Sequence, residues 1–339
     1  MKRWYFWAGL IISAVFLFLA LRGLSLDKVW ESIASANLVW LLPGILVYFL
    51  AVVARAWRWQ YLLGPVAVIE MASMFKVVTI GYMGNNIYPA RAGELLSALL
   101  LRRNHQVPFS VSLATILVER IFDGVVMLGF LFINLYLLSR SAVQIGFMAA
   151  LQTLAFWGSV VFFGLLAGFL AVAFAPQKAG VFLQRIINAI LPKKWRSGAE
   201  RFMQRFISGL GALHTPKDVM IVFGMSIGIW LLEAWFYWYV MRAFPFNVSF
   251  FTLMLLLGVV NLATTLPSAP GYVGTFDAMS IAFLTAVGIN PTLSAGYTVV
   301  LHAALWLPIT LVGLFFFARE GLKWSQGLDS SKIKGEAEK

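Results

Sequence analysis

Cysteine is absent from the chain, and charge is scarce: Asp, Glu, Lys and Arg make up only 12% of its 339 residues. Without a thiol there can be no disulfide framework, thiolate metal site or cysteine nucleophile. Three histidines, none in an HExxH spacing, argue against a zinc site. No Walker A sequence is present, so transport powered by ATP bound to this chain is excluded. We expect no cofactor and no metal, and assign no catalytic residue. A soluble domain carries about 25% charged and about 45–50% apolar residues. Here 61% are hydrophobic and the mean hydropathy is +0.85. One soluble core cannot absorb that surplus, but lipid can, at about 20 residues per span. The class read from this is an all-α polytopic integral membrane protein.

The net charge of +12 does not indicate nucleic acid, because the basic residues sit between apolar runs rather than on one soluble face. Basic loops on the cytoplasmic side of a membrane give this pattern. Full spans are expected at Trp4–Leu21, Leu38–Ala54, Val111–Leu138, Phe147–Ala175, Val219–Met241 and Tyr297–Ala318. Trp4–Leu21 exceeds a signal-peptide core of about 7–15 residues and reads as a retained helix. Two further apolar regions are interrupted. Val66–Leu101 contains Gly81, Gly84, Pro89 and Gly93, and Phe250–Gly288 contains Pro267, Pro270, Gly271 and Gly274. Proline removes a backbone donor and clashes with the preceding turn, so each region is expected to break into two half-helices.

Pro176–Asp218 holds eight Lys and Arg residues against Glu200 and Asp218, which places it on the cytoplasmic side. Within it, Phe202, Phe206, Leu210 and Leu213 form one face of an amphipathic helix suited to a membrane interface. Lys2, Arg3, Arg55, Arg58, Arg102, Arg103, Arg319 and Lys323 then belong on that side too. This works only if the two interrupted regions are re-entrant hairpins entering from opposite faces, an inverted-repeat-like arrangement. The echo between Pro89-Ala-Arg-Ala-Gly93 and Pro267-Ser-Ala-Pro-Gly271 fits it. Residues 1–320 then form one transmembrane domain with both termini cytoplasmic, followed by a polar, disordered tail at 321–339.

Polar residues at membrane depth are costly and mark candidate sites. In Gly81–Glu94, Asn85, Asn86 and Arg91 could hold a phosphate head group beside the amino end of a half-helix, with Glu94 capping it or pairing with Arg91. In Glu119-Arg120-Ile-Phe-Asp123, Arg120 can pair with Asp123 and leave a residual carboxylate for a proton or cation. The alternative is a neutralised cluster that only locks helices together. In Asn261–Asp277, Thr275 suits an N-cap with Asp277 in the first turn, and Ser268, Gly271 and Tyr272 can line a polar cavity. His302 stands alone on an apolar helix, and Glu233 lies among tryptophans.

Asn86-x-x-Pro-x-Arg-x-Gly-Glu94, Glu119-Arg-x-x-Asp123 and Leu266-Pro-Ser-Ala-Pro-Gly-Tyr-x-Gly-Thr-Phe-Asp277, with His302 beyond, resemble the flippase-like transmembrane family. That family includes the membrane region of lysylphosphatidylglycerol synthase, the multiple peptide resistance factor. The resemblance runs over nearly the whole chain and departs at Ser97, where a basic residue is expected. It implies movement of an anionic phospholipid or a polyprenyl-phosphate-linked sugar between leaflets of a prokaryotic plasma membrane. On that reading Arg91 and Arg120 hold phosphate, while Glu119, Asp123, Asp277 and His302 couple to protons or ions. Expected partners are membrane lipids and no nucleic acid, with a homodimer left open. The rivals are a membrane glycosyl- or phospho-transferase using a lipid-linked donor, and an accessory subunit of envelope assembly.

Overall fold

The computed structural model describes residues 11, 14–18, 22–88, 91–138, 145–190, 192–209, 213, 215–264 and 269–320. All regular structure among them is helical, with no strand. In chain order the helices are α1 (Leu26–Ala34), α2 (Leu41–Leu63), α3 (Met71–Ile87), α4 (Ala92–His105), α5 (Phe109–Leu138), α6 (Ile145–Phe174), α7 (Pro176–Ile190), α8 (Lys193–Gly209), α9 (Pro216–Arg242), α10 (Phe250–Ala263), α11 (Thr275–Ala286) and α12 (Pro291–Arg319). Four stretches among the described residues are long and apolar enough to cross a membrane: Leu38–Leu63, Phe156–Phe174, Pro216–Arg242 and Pro291–Arg319. The chain is an integral membrane protein built from several such helices. Most of the expected first span, together with Ser268 and the tail from 321, lies outside the described residues.

The ends of the helices follow local chemistry. Thr215 and Asp218 cap each other at the start of α9, with Pro216 in the first turn, where a missing N–H costs nothing. Ser249 and Asn290 accept backbone N–H groups at the starts of α10 and α12. α2 runs past Ala54 to Leu63 and ends only at Gly64-Pro65. This corrects the shorter span expected there. It also moves Arg55 and Arg58 from a loop into the interior, where Arg58 is 2% exposed.

α2 and α9 pack antiparallel along their length. At one end the Tyr61 hydroxyl donates to Asp218 at 2.6 Å, and at the other the Asn37 N–H donates to the Ala243 carbonyl at 2.9 Å. The outer ends of α3 and α4 lie at the Tyr61 end. Gln60 donates to the Ile69 carbonyl at 2.6 Å, and Asn104 donates to Glu320 at 3.1 Å. The start of α12 lies at the other end, where Tyr297 packs on Phe244 and Phe246. The packing is reciprocal. α3 lies on α12, and α10 lies on α5.

α3 ends at Ile87 and α4 begins at Ala92, and α10 ends at Ala263 and α11 begins at Thr275. Gly81 and Gly84 are not breaks but helical contact points in α3. A Cβ on Gly81 would collide with the Ser97 hydroxyl, and one on Gly84 would come within 2.7 Å of the Gly93 Cα. Ser97 therefore sits in the α3–α4 crossing, donating to the Val77 carbonyl at 3.2 Å, where a long basic side chain has no room. At the second break the N-cap is Gly274, whose N–H donates to Asp277 at 2.8 Å. Thr275, expected as the cap, is the first helical residue, and its hydroxyl donates to the Tyr272 carbonyl. The basic segment forms two helices, α7 and α8, with Phe202 stacked on Phe206.

Candidate functional site

Arg91 and Tyr272, one at each break, adopt the left-handed conformation, with φ of 53° and 61°. Non-glycine residues rarely sit there, and such strain clusters where function requires it. The two tips meet. An Arg91 Nη donates to the Thr264 carbonyl at 3.3 Å, and its guanidinium lies 5.7 Å from the Tyr272 ring centre. Around this junction is a cleft lined by residues of α2, α3, α5, α9, α10, α11 and α12 and both tips. A second cavity joins it through Arg55, Tyr82, Asn85 and Arg120.

Four arginines and four carboxylates line these spaces: Arg55, Arg58, Arg91 and Arg120 against Glu94, Glu119, Asp123 and Glu233. Arg58 bridges three helices. It holds Asp123 through both Nη atoms, at 2.6 and 3.2 Å, Glu119 at 3.1 Å, and the Ser226 hydroxyl at 2.7 Å. Trp230 donates a further bond to Asp123 at 2.9 Å. Arg120 instead pairs with Glu94 at 2.7 Å. This corrects the expected Arg120–Asp123 pair: the base facing Glu119 and Asp123 is Arg58, still one guanidinium for two carboxylates. Although Arg120 and Asp123 share a helix, each meets a partner from a different neighbour, Glu94 of α4 and Arg58 of α2. Arg55 pairs with Glu233 at 2.7 Å, so that acid is neutralised rather than isolated.

Arg91 is the least compensated of the four, because its nearest carboxylate, Glu94, lies 3.9 Å away and already serves Arg120. Asn86 is engaged by α12, donating to Thr310 at 2.8 Å and to the Trp306 carbonyl at 3.3 Å. Both contacts lie beside Pro308, the proline inside α12. Asn85 keeps its side-chain oxygen buried and without a partner among the described residues. His302 joins α12 to the second tip, with Nδ1 2.8 Å from Asp277 and Nε2 2.8 Å from the Gly271 carbonyl. The carbonyl can only accept, so Nε2 carries a proton. A second proton must then lie between Nδ1 and the carboxylate, on one or the other.

Sequence reasoning missed Arg55 and Arg58 as site residues, along with Tyr82 and Trp230. A signal was available: nothing that ends a helix lies between Ile45 and Gly64-Pro65, so two arginines three apart had to sit inside it.

The profile of the lysylphosphatidylglycerol synthase transmembrane region matches residues 6–313. The chain belongs to that family. Among relatives of this synthase-region protein is a membrane protein named UPF0104 in Methanothermobacter thermautotrophicus, 23% identical over 317 residues, which are 90% of this chain and 92% of the relative. A second protein of that name and organism is 26% identical over 309 residues, 80% of this chain and 84% of the relative. The glycosyltransferase AglD of Haloferax volcanii is 23% identical over 332 residues, 90% of this chain but only 53% of AglD. No solved structure matches the chain.

Proposed function

We propose that this member of the synthase-region family works on membrane lipids and moves an anionic lipid, a phospholipid or a polyprenyl-phosphate-linked sugar, between leaflets. The observation that carries the reading is Arg91, strained and under-compensated, facing a cleft where two broken helix pairs meet. A phosphate crossing hydrocarbon loses its hydration, at the cost of desolvating an ion. Arg91, supported by Arg120 and by the free N–H groups at the start of α4, supplies substitute solvation.

The arms of the breaks support a re-entrant reading. α3, α4, α10 and α11 have 17, 14, 14 and 12 residues. At 1.5 Å per residue these reach about 18–26 Å, short of a hydrocarbon core of about 30 Å. On this reading α2, α3–α4 and α5 repeat as α9, α10–α11 and α12 in inverted orientation, with six full spans in all. Such a repeat places a site at the midplane and lets it open alternately to each face. The basic segment and both termini are cytoplasmic, and the membrane is the plasma membrane of a prokaryote. We assign proton coupling to Asp277–His302, which holds a proton between its partners. Glu119 and Asp123 share the single guanidinium of Arg58, so that trio keeps one negative charge.

The test uses the purified protein in liposomes carrying a fluorescent head-group-labelled anionic lipid, with dithionite reporting transbilayer exchange. Exchange should exceed that in empty liposomes, fall to background in Arg91→Ala, and partly return in Arg91→Lys, where charge survives without the guanidinium fork. No acceleration for any anionic lipid, with or without a proton gradient, would overturn the proposal. AglD favours a transferase as the second reading, and transfer of sugar from a lipid-linked donor to an added hydroxyl acceptor by the purified protein would establish it.

A further inference from the structure

The part of the cleft around Arg55 has a different chemistry. Arg55 is 92% buried as a side chain and neutralised by Glu233, yet its Nη1 has no hydrogen-bond partner among the described residues. An unmet buried donor is costly and calls for a partner. The Arg55 guanidinium lies 4.7 Å from the Trp230 ring centre and 5.9 Å from that of Tyr82. The hydroxyls of Tyr82 and Tyr237, both lining the cleft, have no hydrogen bond among the described residues. The Asn85 side-chain oxygen is an unmet acceptor beside the same space.

This set needs a ligand that both accepts and donates, several times over a short distance. A second phosphate only accepts, and Glu233 already balances the charge of Arg55. Neutral hydroxyls meet every requirement: they accept from Arg55, donate to Asn85 and exchange bonds with the tyrosines. Flanking aromatic rings cover the C–H faces of a polyol and exclude water from its hydrogen bonds. We infer that the pole of the cleft formed by Arg55, Asn85, Tyr82 and Tyr237 binds an uncharged polyhydroxyl head group, a glycerol or a sugar. This rests on the reading above, in which the phosphate of the same lipid lies at Arg91, and it fixes the lipid's orientation in the cleft.

Binding can be measured apart from transport. The full chain in detergent is titrated calorimetrically with three dioctanoyl lipids: phosphatidic acid, phosphatidylglycerol and phosphatidylinositol. Phosphatidic acid has the phosphate without the polyol, and the other two separate a glycerol from a ring. At least one hydroxylated lipid should bind about tenfold more tightly than phosphatidic acid, as a few hydrogen bonds warrant. In Tyr82→Phe/Tyr237→Phe, which keeps the rings and their packing, that ratio should fall below about twofold. Because the readout is a ratio within one protein, a general loss of folding or of phosphate binding cancels. Arg91→Ala should weaken all three lipids alike. Equal affinity for all three lipids would overturn the inference and leave water as the partner of Arg55. Survival of the ratio in the double variant would overturn the assignment of these residues. If hydroxylated lipids bind preferentially but none crosses the bilayer, the transport reading fails and the polyol site stands.

Discussion

Arg58 shows most clearly how a charge is made tolerable at membrane depth. A lone arginine there is expensive, and so is a lone carboxylate. With Asp123 held by two nitrogens, Glu119 by a third and Ser226 sharing Nη1, each nitrogen of the Arg58 guanidinium has a partner. Breaking such a pair from one side leaves an uncompensated buried charge, at a cost of about 3–5 kcal/mol. Arg58→Ala should therefore lower unfolding stability strongly. The Arg58→Ala/Asp123→Ala double variant should lose much less than the sum of the two single changes. Arg120 and Asp123 supply the contrast. They sit three residues apart on α5 but have different partners, so Arg120→Ala should couple more weakly with Asp123→Ala than with Glu94→Ala. Thermal unfolding in detergent gives all the cycles. Strong coupling of Arg120 with Asp123 and none of Arg58 would contradict the pairing. Glu94, Glu119, Arg120 and Asp123 were legible in the sequence, because each interrupts an apolar run, while Arg58 was not. Their partners were not, since i, i+3 spacing allows an Arg120–Asp123 contact and says nothing of a guanidinium arriving from α2.

At the scale of elements, proline and glycine marked both breaks, because the local backbone alone decides where a helix can continue. They did not separate a glycine that ends a helix from one that lets two helices touch. That depends on where the chain returns after the break. Gly93 lies in α4 against α3, where an added Cβ would strike the Gly81 carbonyl oxygen, which belongs to the helix backbone and cannot swing aside. Gly168, inside α6, has nothing within 4 Å of such a Cβ. Gly93→Ala should thus spread α3 from α4 and destabilise the protein, dragging Arg91 from the second tip. Gly168→Ala should be neutral, or stabilising by up to about 1 kcal/mol through helix propensity. If both changes prove harmless to stability and lipid exchange, the α3–α4 crossing does not position the site.

For the whole molecule, one result of the structure removes support from the expected topology and another restores it. Arg55 and Arg58 no longer count as loop charges, so they say nothing about sidedness. The reciprocal packing of α3 on α12 and α10 on α5 supplies an independent reason for two hairpins of opposite orientation. If α3–α4 enters and leaves on the cytoplasmic side, Glu70 and Arg103, both exposed and flanking that pair, share a side with Lys217. Asn247 and Asn290, exposed at the outer ends of α10–α11, share the opposite side. The chain has no native cysteine, so single cysteines at these five positions can be read without background. A membrane-impermeant maleimide applied to intact cells should label Asn247→Cys and Asn290→Cys, and should label Glu70→Cys, Arg103→Cys and Lys217→Cys only after the membrane is opened. Two ordinary spans in place of a hairpin would leave Glu70 and Arg103 on the same side as well, so these positions fix orientation but not depth. Depth is settled at the tips. In the re-entrant arrangement Arg91 and Tyr272 lie at the same level, within reach of each other, although their hairpins start from opposite faces. Arg91→Cys and Tyr272→Cys, combined in one chain, should be joined by a short bifunctional thiol reagent in membranes. Failure to join them in a folded, correctly oriented protein would mean that the two tips do not meet and that no shared midplane site exists.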